Sequence, residues 1–259
     1  MSKIERVGES AERYPTAFTA ADFRANVADV RARIAAAAER AGRDPGEVHL
    51  LPVSKTVPTD RVRVAIDAGL CRLGENKVQE AVRKHRETAD LDVDWVVIGH
   101  LQTNKARDVA SFAAEFQALD RLRVAEALDR RLQAAGRSLD VYVQVNTSAE
   151  DSKFGMPPEE LLDFLKALPS YGALRVRGLM TLALLTPDDA RVRECFAMLR
   201  TLRDRAREEN PELIGDGALS MGMSGDYEIA VEEGATCVRV GQAIFGARAV
   251  PDSHYWPEG

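Results

Sequence analysis

Eight short apolar runs, each followed by a stretch of helical periodicity, alternate along this chain between residues 48 and 245. The clear runs are 48–54 (VHLLPVS), 95–99 (WVVIG), 141–145 (VYVQV), 175–182 (RVRGLMTL) and 237–245 (CVRVGQAIF). Weaker ones are 71–76 (CRLGEN), 116–120 (FQALD) and 218–223 (ALSMGM). Between them lie helical patterns at 59–68, 77–88, 104–113, 121–135, 157–168, 187–209 and 225–233. The longest places Val192, Phe196, Leu199 and Leu202 on one face, with Pro187 in its first turn. Consecutive parallel strands need a crossover long enough for a helix, so the alternation predicts an α/β protein built as a single (β/α)8 TIM barrel. The competing architecture, a doubly wound open sheet, usually carries a GxGxxG after its first strand. Here that strand ends in Ser54-Lys55-Thr56 instead.

An extra helix precedes the first strand. Thr19 and Asp22 resemble a capping box, and Phe23, Val27, Val30 and Ile34 recur at helical spacing until Gly42. Residues 1–18 are polar and non-periodic and are expected to form a flexible tail. Without a Gly/Pro/Ser-rich linker or a shift in composition, residues 19–259 are expected to be one domain.

Net charge is −6 and the pI is near 5.4, with both signs mixed along the helices. That excludes a general nucleic-acid surface, which needs a basic face. No run approaches the roughly 18 apolar residues of a membrane span, and the N-terminus lacks the apolar segment of a signal peptide. Cys71, Cys195 and Cys237 are widely spaced and odd in number, which fits reduced core thiols in the cytoplasm. The histidines make no metal-ligand pattern, so no metal is expected.

In a barrel, functional groups gather at the carboxyl ends of the strands. Lys55, Asn76, His100, Asn146, Met223 and Ser224 all fall there. Lys55 closes a core strand; desolvation there favours a neutral, nucleophilic amine that forms Schiff bases, and the bland alternative is a lysine snorkelling to the rim. The turn Met223-Ser224-Gly225 leads into a helix, which makes it either a phosphate cradle or an ordinary cap, with Asp226 competing against an anion. Arg239 interrupts an apolar strand before Gly241 and Gln242 and needs an anionic or acceptor partner, either a ligand or a structural carboxylate. His100 reads as a general acid/base or as a hydrogen-bonded loop residue. Glu75 reads as a cap or pairing group, and Asn146 and Lys153 as the edge of a solvated lid.

Seven of these segments, in order, resemble the pyridoxal-phosphate homeostasis protein family (the YggS/PROSC-type group), which is related to the N-terminal barrel of alanine racemase. They are LLPVSKTVP, LGENKVQE, WVVIGHLQTNK, VQVNTSAEDSKFGM, RVRGLMTL, LSMGMSGDYEIAVEEGAT and VRVGQAIFGAR, and they span about residues 22–248. The resemblance implies a barrel that holds pyridoxal 5′-phosphate (PLP) as an internal aldimine on Lys55. It puts Met223, Ser224, Gly241 and the Gln242 amide at the phosphate, Arg239 at the pyridine nitrogen and Asn76 beside the ring oxygen.

Val57 stands where many members have a second lysine, Gln242 replaces a common Thr or Ser, and Lys77 replaces a frequent Tyr. Related racemases draw a second acid/base tyrosine from an added C-terminal domain, and this chain ends at Gly259 just after the barrel. The expectation is therefore a monomeric, non-enzymatic PLP carrier in vitamin B6 homeostasis, with PLP-requiring apo-enzymes as partners. Two alternatives stay open: a weak PLP-dependent amino-acid racemase, and a Schiff-base aldolase on the same barrel without PLP.

Overall fold

The computed structural model describes residues 13–150 and 154–247, so most of the 1–18 tail, Lys153 and residues 248–259 lie outside it. Every apolar run becomes a strand: β1 (His49–Pro52), β2 (Arg72–Glu75), β3 (Asp94–Val97), β4 (Glu115–Leu119), β5 (Leu139–Gln144), β6 (Leu174–Met180), β7 (Ala218–Ser220) and β8 (Cys237–Val240). After the N-terminal helix α1 (Ala20–Arg40), helices α2 (Thr59–Asp67), α3 (Val78–Glu87), α4 (Ala106–Phe112), α5 (Leu122–Ala134), α6 (Leu161–Ala167), α7 (Asp189–Glu209) and α8 (Tyr227–Glu232) follow β1 to β7 in turn. The run 237–245 divides at Gly241, where β8 ends and the short helix α9 (Gln242–Phe245) begins.

The strands are parallel and pair in the order β1-β8-β7-β6-β5-β4-β3-β2. The two ends of that sheet meet. Val53, just past β1, bridges to Gly74 of β2, and the Ser54 N–H donates to the Gly74 carbonyl at 3.0 Å. The result is a (β/α)8 barrel.

Helix α1 starts as its sequence predicts. Thr19 Oγ1 accepts the Asp22 N–H at 3.2 Å, and Asp22 Oδ2 accepts the Thr19 N–H at 2.8 Å. Its buried face includes Phe23, whose ring meets Phe245 edge-on at 5.4 Å, and Asn26 donates to the Ile244 carbonyl at 2.9 Å. The residues just before α1 pack on the same end of the barrel. The Tyr14 hydroxyl donates to the Ser224 carbonyl at 3.0 Å, and Arg61 donates to the Ala17 carbonyl at 2.7 Å.

Alternate residues of each strand face the helices and the barrel interior. Phe116, Val141, Val143, Leu219, Val238 and Val240 join the helix faces in one buried apolar cluster. The interior departs from the aliphatic layers usual in this architecture. Beside a small patch of Leu51, Val96 and Cys237, a polar chain runs down the barrel. Arg239 Nη1 donates to Ser220 Oγ at 2.6 Å, and Ser220 Oγ donates to Gln117 Oε1 at 2.6 Å. Gln117 Nε2 then donates to Glu115 Oε1 at 2.6 Å, and Arg72 Nη2 to Glu115 Oε2 at 2.9 Å.

A second buried polar group ties β1 to β2. Lys84 of α3 is fully buried; its Nζ donates to the Ser54 carbonyl at 2.7 Å and to Glu75 Oε1 at 2.6 Å, and lies 3.0 Å from Glu80 Oε1. Ser54 Oγ donates to the same Glu75 oxygen at 2.6 Å, and the Thr56 N–H donates to Glu80 Oε1 at 2.9 Å. Two carboxylates thus share one ammonium away from water. Burial, reinforced by the charge of Glu80, pushes the Glu75 carboxyl up to about 7 against the pull of Lys84.

Two measurements check this packing. A Cβ on Gly178 of β6 would fall 1.9 Å from the Ala218 carbonyl oxygen of β7, so Gly178→Ala must spread the two strands. The expected cost is about 3 kcal/mol, read as a lower urea midpoint at an unchanged slope. Glu75 takes up a proton on folding, because its carboxyl sits higher in the folded chain than its ordinary 4.5. Its contribution to stability is complete below about 4.5 and is lost as pH rises through about 7. Urea unfolding at about pH 5.5 and about pH 8 should show the wild type losing stability relative to Glu75→Gln as pH rises.

Candidate functional site

The barrel gathers the sequence-predicted polar residues at one mouth. Lys55 follows β1, Asn76 follows β2, His100 follows β3 and Asn146 follows β5; Met223 and Ser224 follow β7, Gly241 and Gln242 follow β8, and Arg239 lies within β8. Lys55 is only 8% exposed. It is the second residue of a turn closed by the Val57 N–H donating to the Ser54 carbonyl at 3.0 Å. Thr56, the third residue, has φ +67°, the left-handed value that a type II turn reserves for glycine. A β-branched residue there is strained and persists only where its surroundings hold it. Val57 is buried in the core against α2 and its neighbours.

Across the mouth, the loops after β7 and β8 interlock. Ser224 Oγ accepts the Gly241 N–H at 3.2 Å and the Ala243 N–H at 3.4 Å, which leaves its own O–H to donate. A Cβ on Gly225 would meet nothing within 4 Å, so there is space beside this turn. Asp226, read from the sequence as a competitor against an anion, accepts the Met223 N–H at 2.5 Å. The Met223 amide is thereby committed within its own loop.

Arg239 is buried, and burial pulls it down from its ordinary value. Its hydrogen-bond partners are two neutral oxygens, Ser220 Oγ and the Thr181 carbonyl, the latter at 2.7 Å. Among the described residues the carboxylate whose charge acts on it is Asp226, without a direct hydrogen bond to the guanidinium. Asn76 has a buried side-chain oxygen without a hydrogen-bond partner. A Cβ on Gly99 would lie 1.9 Å from the Asn76 carbonyl oxygen, so the loop after β3 packs directly on this residue.

His100 is occupied elsewhere. Its ring stacks on Phe154 at 4.0 Å, Asp120 Oδ2 lies 3.5 Å from Nδ1, and Arg121 Nη2 lies 3.1 Å from Nε2. Burial and then the Arg121 charge lower its pKa, against the pull of Asp120. The Asn146 amide turns into its own loop, donating to the Glu150 carbonyl at 2.9 Å. Lys153 lies outside the described residues. Of the three cysteines, Cys195 and Cys237 are buried as expected, but Cys71 is exposed and is no core thiol. A cavity of about 700 Å³ lies at the opposite mouth, where Arg31, His49, Arg72, Glu115 and Tyr142 line it, and it shares no residue with the Lys55 end.

Several participants were not found from the sequence. Tyr14 sits in a segment with no pattern, and Ser220 and Gln117 stand in runs read as apolar. Lys84 looks like any lysine on a solvated helix. Its only signal is the apolar phase of α3, in which Val78, Ala81 and Lys84 share the buried face.

Residues 25–249 match the family model of the alanine racemase N-terminal domain. The chain is 46% identical over 223 residues to the pyridoxal phosphate homeostasis protein of Pseudomonas aeruginosa, covering 86% of this chain and 94% of that one. It is 42% identical over 230 residues to the protein of the same name from Escherichia coli K12, covering 88% and 97%. Among solved structures, PipY of Synechococcus elongatus with PLP bound superimposes with a TM-score of 0.76 at 35% identity, covering 86% of this chain and all of that one. Alanine racemase from Streptomyces lavendulae shares the fold, with a TM-score of 0.70 at 18% identity over 91% of this chain and 59% of that one. The chain belongs to the pyridoxal phosphate homeostasis protein family.

Proposed function

We propose that this chain binds PLP at the carboxyl mouth of its barrel through the amine of Lys55, and holds and hands on the cofactor. The observation that carries the reading is Arg239, a buried guanidinium whose hydrogen-bond acceptors are neutral oxygens, in the same mouth as Lys55. A buried cation needs an acceptor, and a ring nitrogen is one. The other groups fit the same ligand. Ser224 Oγ and the Gly241 amide form a turn with a hydroxyl to spare for a phosphate, and the unpartnered oxygen of Asn76 suits a ligand hydroxyl. Gln242 contributes its backbone amide rather than the hydroxyl of a Thr or Ser, and Met223 shapes the turn without offering its N–H.

When bound, PLP supplies an aldehyde that condenses reversibly with a primary amine. Arg239 would donate to the ring nitrogen while staying cationic, which would keep that nitrogen unprotonated and weaken the ring as an electron sink. His100, the candidate acid/base of a racemase, is engaged by Phe154, Asp120 and Arg121. Storage and transfer therefore suit the site better than amino-acid turnover. On this reading the protein works in the cytoplasm as a monomer and passes PLP to apo-enzymes that require it. Its free cysteines suit a reducing compartment, and no helix among the described residues is long and apolar enough to cross a membrane.

The test is an absorption spectrum of protein mixed with PLP, before and after borohydride, followed by peptide mass mapping. The expected result is a visible band that borohydride bleaches, with the added mass on Lys55. Lys55→Ala should lack both while remaining folded. A chain that stays colourless, or carries its label on another lysine, overturns the assignment.

A further inference from the structure

Lys55 is buried, yet it is carried by a strained two-residue turn, and something must hold that turn. The residues on either side of Lys55 are both bonded to one buried ionic cluster. On the N-terminal side, the Ser54 carbonyl accepts Lys84 Nζ at 2.7 Å, and Ser54 Oγ donates to Glu75 at 2.6 Å. On the C-terminal side, the N–H of Thr56, at φ +67°, donates to Glu80 at 2.9 Å. Lys84 joins the two sides, because it contacts Glu75 at 2.6 Å and Glu80 at 3.0 Å. Lys84 and Glu75 are both fully buried, and Glu80 is partly buried at their edge.

This arrangement is a costly way to attach α3 to the barrel. Well-packed apolar residues of similar volume would match or exceed the stability of a buried ion pair. The cluster's bonds go to main-chain groups on both sides of one residue, and that residue is the amine proposed to carry the cofactor. We propose that Lys84, with Glu75 and Glu80, is the positioning group for Lys55. It fixes the Ser54–Val57 turn in its left-handed Thr56 conformation and so sets where the amine is presented. The proposal rests on the assignment of Lys55 to PLP. None of the three residues is asked to touch the cofactor. Pre-organisation of this kind acts through geometry, where a displacement of about 1 Å costs up to about 100-fold.

The experiment compares wild type, Glu80→Ala, Glu80→Gln and the double variant Lys84→Met/Glu75→Leu, which removes the buried charges together. Two quantities are read: hydrogen exchange of the Thr56 and Val57 amides in protein free of PLP, and the rate of PLP release after loading. Glu80→Ala should speed both by about tenfold or more and lower the melting temperature, because buried Lys84 loses a counter-charge. Glu80→Gln, which keeps an acceptor for the Thr56 N–H, should bring both rates back toward wild type. The double variant should release PLP faster still. Should it fail to fold, the Glu80 pair decides alone.

Unchanged release in Glu80→Ala, with Lys55 still carrying the borohydride-fixed label, overturns the positioning role. Faster exchange with unchanged release does so too, since it reduces the cluster to a structural clamp. A wild type that takes no label on Lys55 removes the assignment itself, and this proposal with it.

Discussion

Everything at the functional mouth depends on the seam where β1 meets β2. A single bridge from Val53 to Gly74, with the Ser54 N–H on the Gly74 carbonyl, turns an eight-strand sheet into a barrel. Were the seam open, Lys55 would still lie beside the β7 and β8 loops, but Asn76 would sit on the opposite edge of the sheet, far from them. Closure puts the first and second strand ends side by side and brings Ser224, Arg239 and Gly241 within the same ring of loops. The Lys84 cluster lies on this seam and bonds to both of its strands through Ser54 and Glu75. The closing seam of the barrel is therefore reinforced by a fully buried ion pair.

The barrel interior answers to a different demand. Filling it with Val, Ile and Leu would stabilise the fold, but an arginine in β8 forbids a purely apolar lining. Arg239 needs Ser220, Ser220 needs Gln117, and Gln117 in turn satisfies Glu115, which Arg72 neutralises at the far end. One functional cation at the upper mouth thus dictates polar residues along the length of the barrel. The links from Arg239 to Glu115 are short bonds between buried groups, so removing Ser220 or Gln117 strands its neighbours at about 1–3 kcal/mol apiece, while Arg72 closes the chain from the surface. The expense sits in the strand register itself, because alternate positions of β4, β7 and β8 all serve the chain.

The architecture was legible because strand and helix periods are local properties. The alternation of runs, the Thr19–Asp22 box and the apolar stripe of α7 are readable without tertiary knowledge, and each appears where the pattern puts it. The mouth residues were legible for a related reason, since barrel topology converts the end of a strand into a place. Functions of pairs were not. Lys84 looks solvated in a helix of mixed charge, and only its contact with the Ser54 carbonyl, thirty residues earlier, reveals it as buried. Asp226 was readable as a competitor for the turn's donors, but sequence gives its position and not its rotamer, so its bond to the Met223 amide was not legible. Tyr14 illustrates the limit most plainly, because its partner Ser224 lies 210 residues away and nothing in a polar tail announces it.

The distribution of charged and titratable groups around Lys55 also bears on what the site is for. Lys84, Glu75 and Glu80 are spent on one another and on main-chain groups, and His100 is enclosed by an aromatic ring, a carboxylate and a guanidinium. Arg239 retains its proton under all ordinary conditions. These groups hold and orient, whereas amino-acid turnover asks for groups that give and take protons near neutral pH at the reacting carbon. Glu75, pushed up to about 7, lies inside the seam, where its proton adjusts the charge of the cluster and not a substrate. A barrel built this way presents one amine firmly and surrounds it with fixed dipoles, which suits a protein that must bind a reactive aldehyde tightly enough to contain it and reversibly enough to give it up.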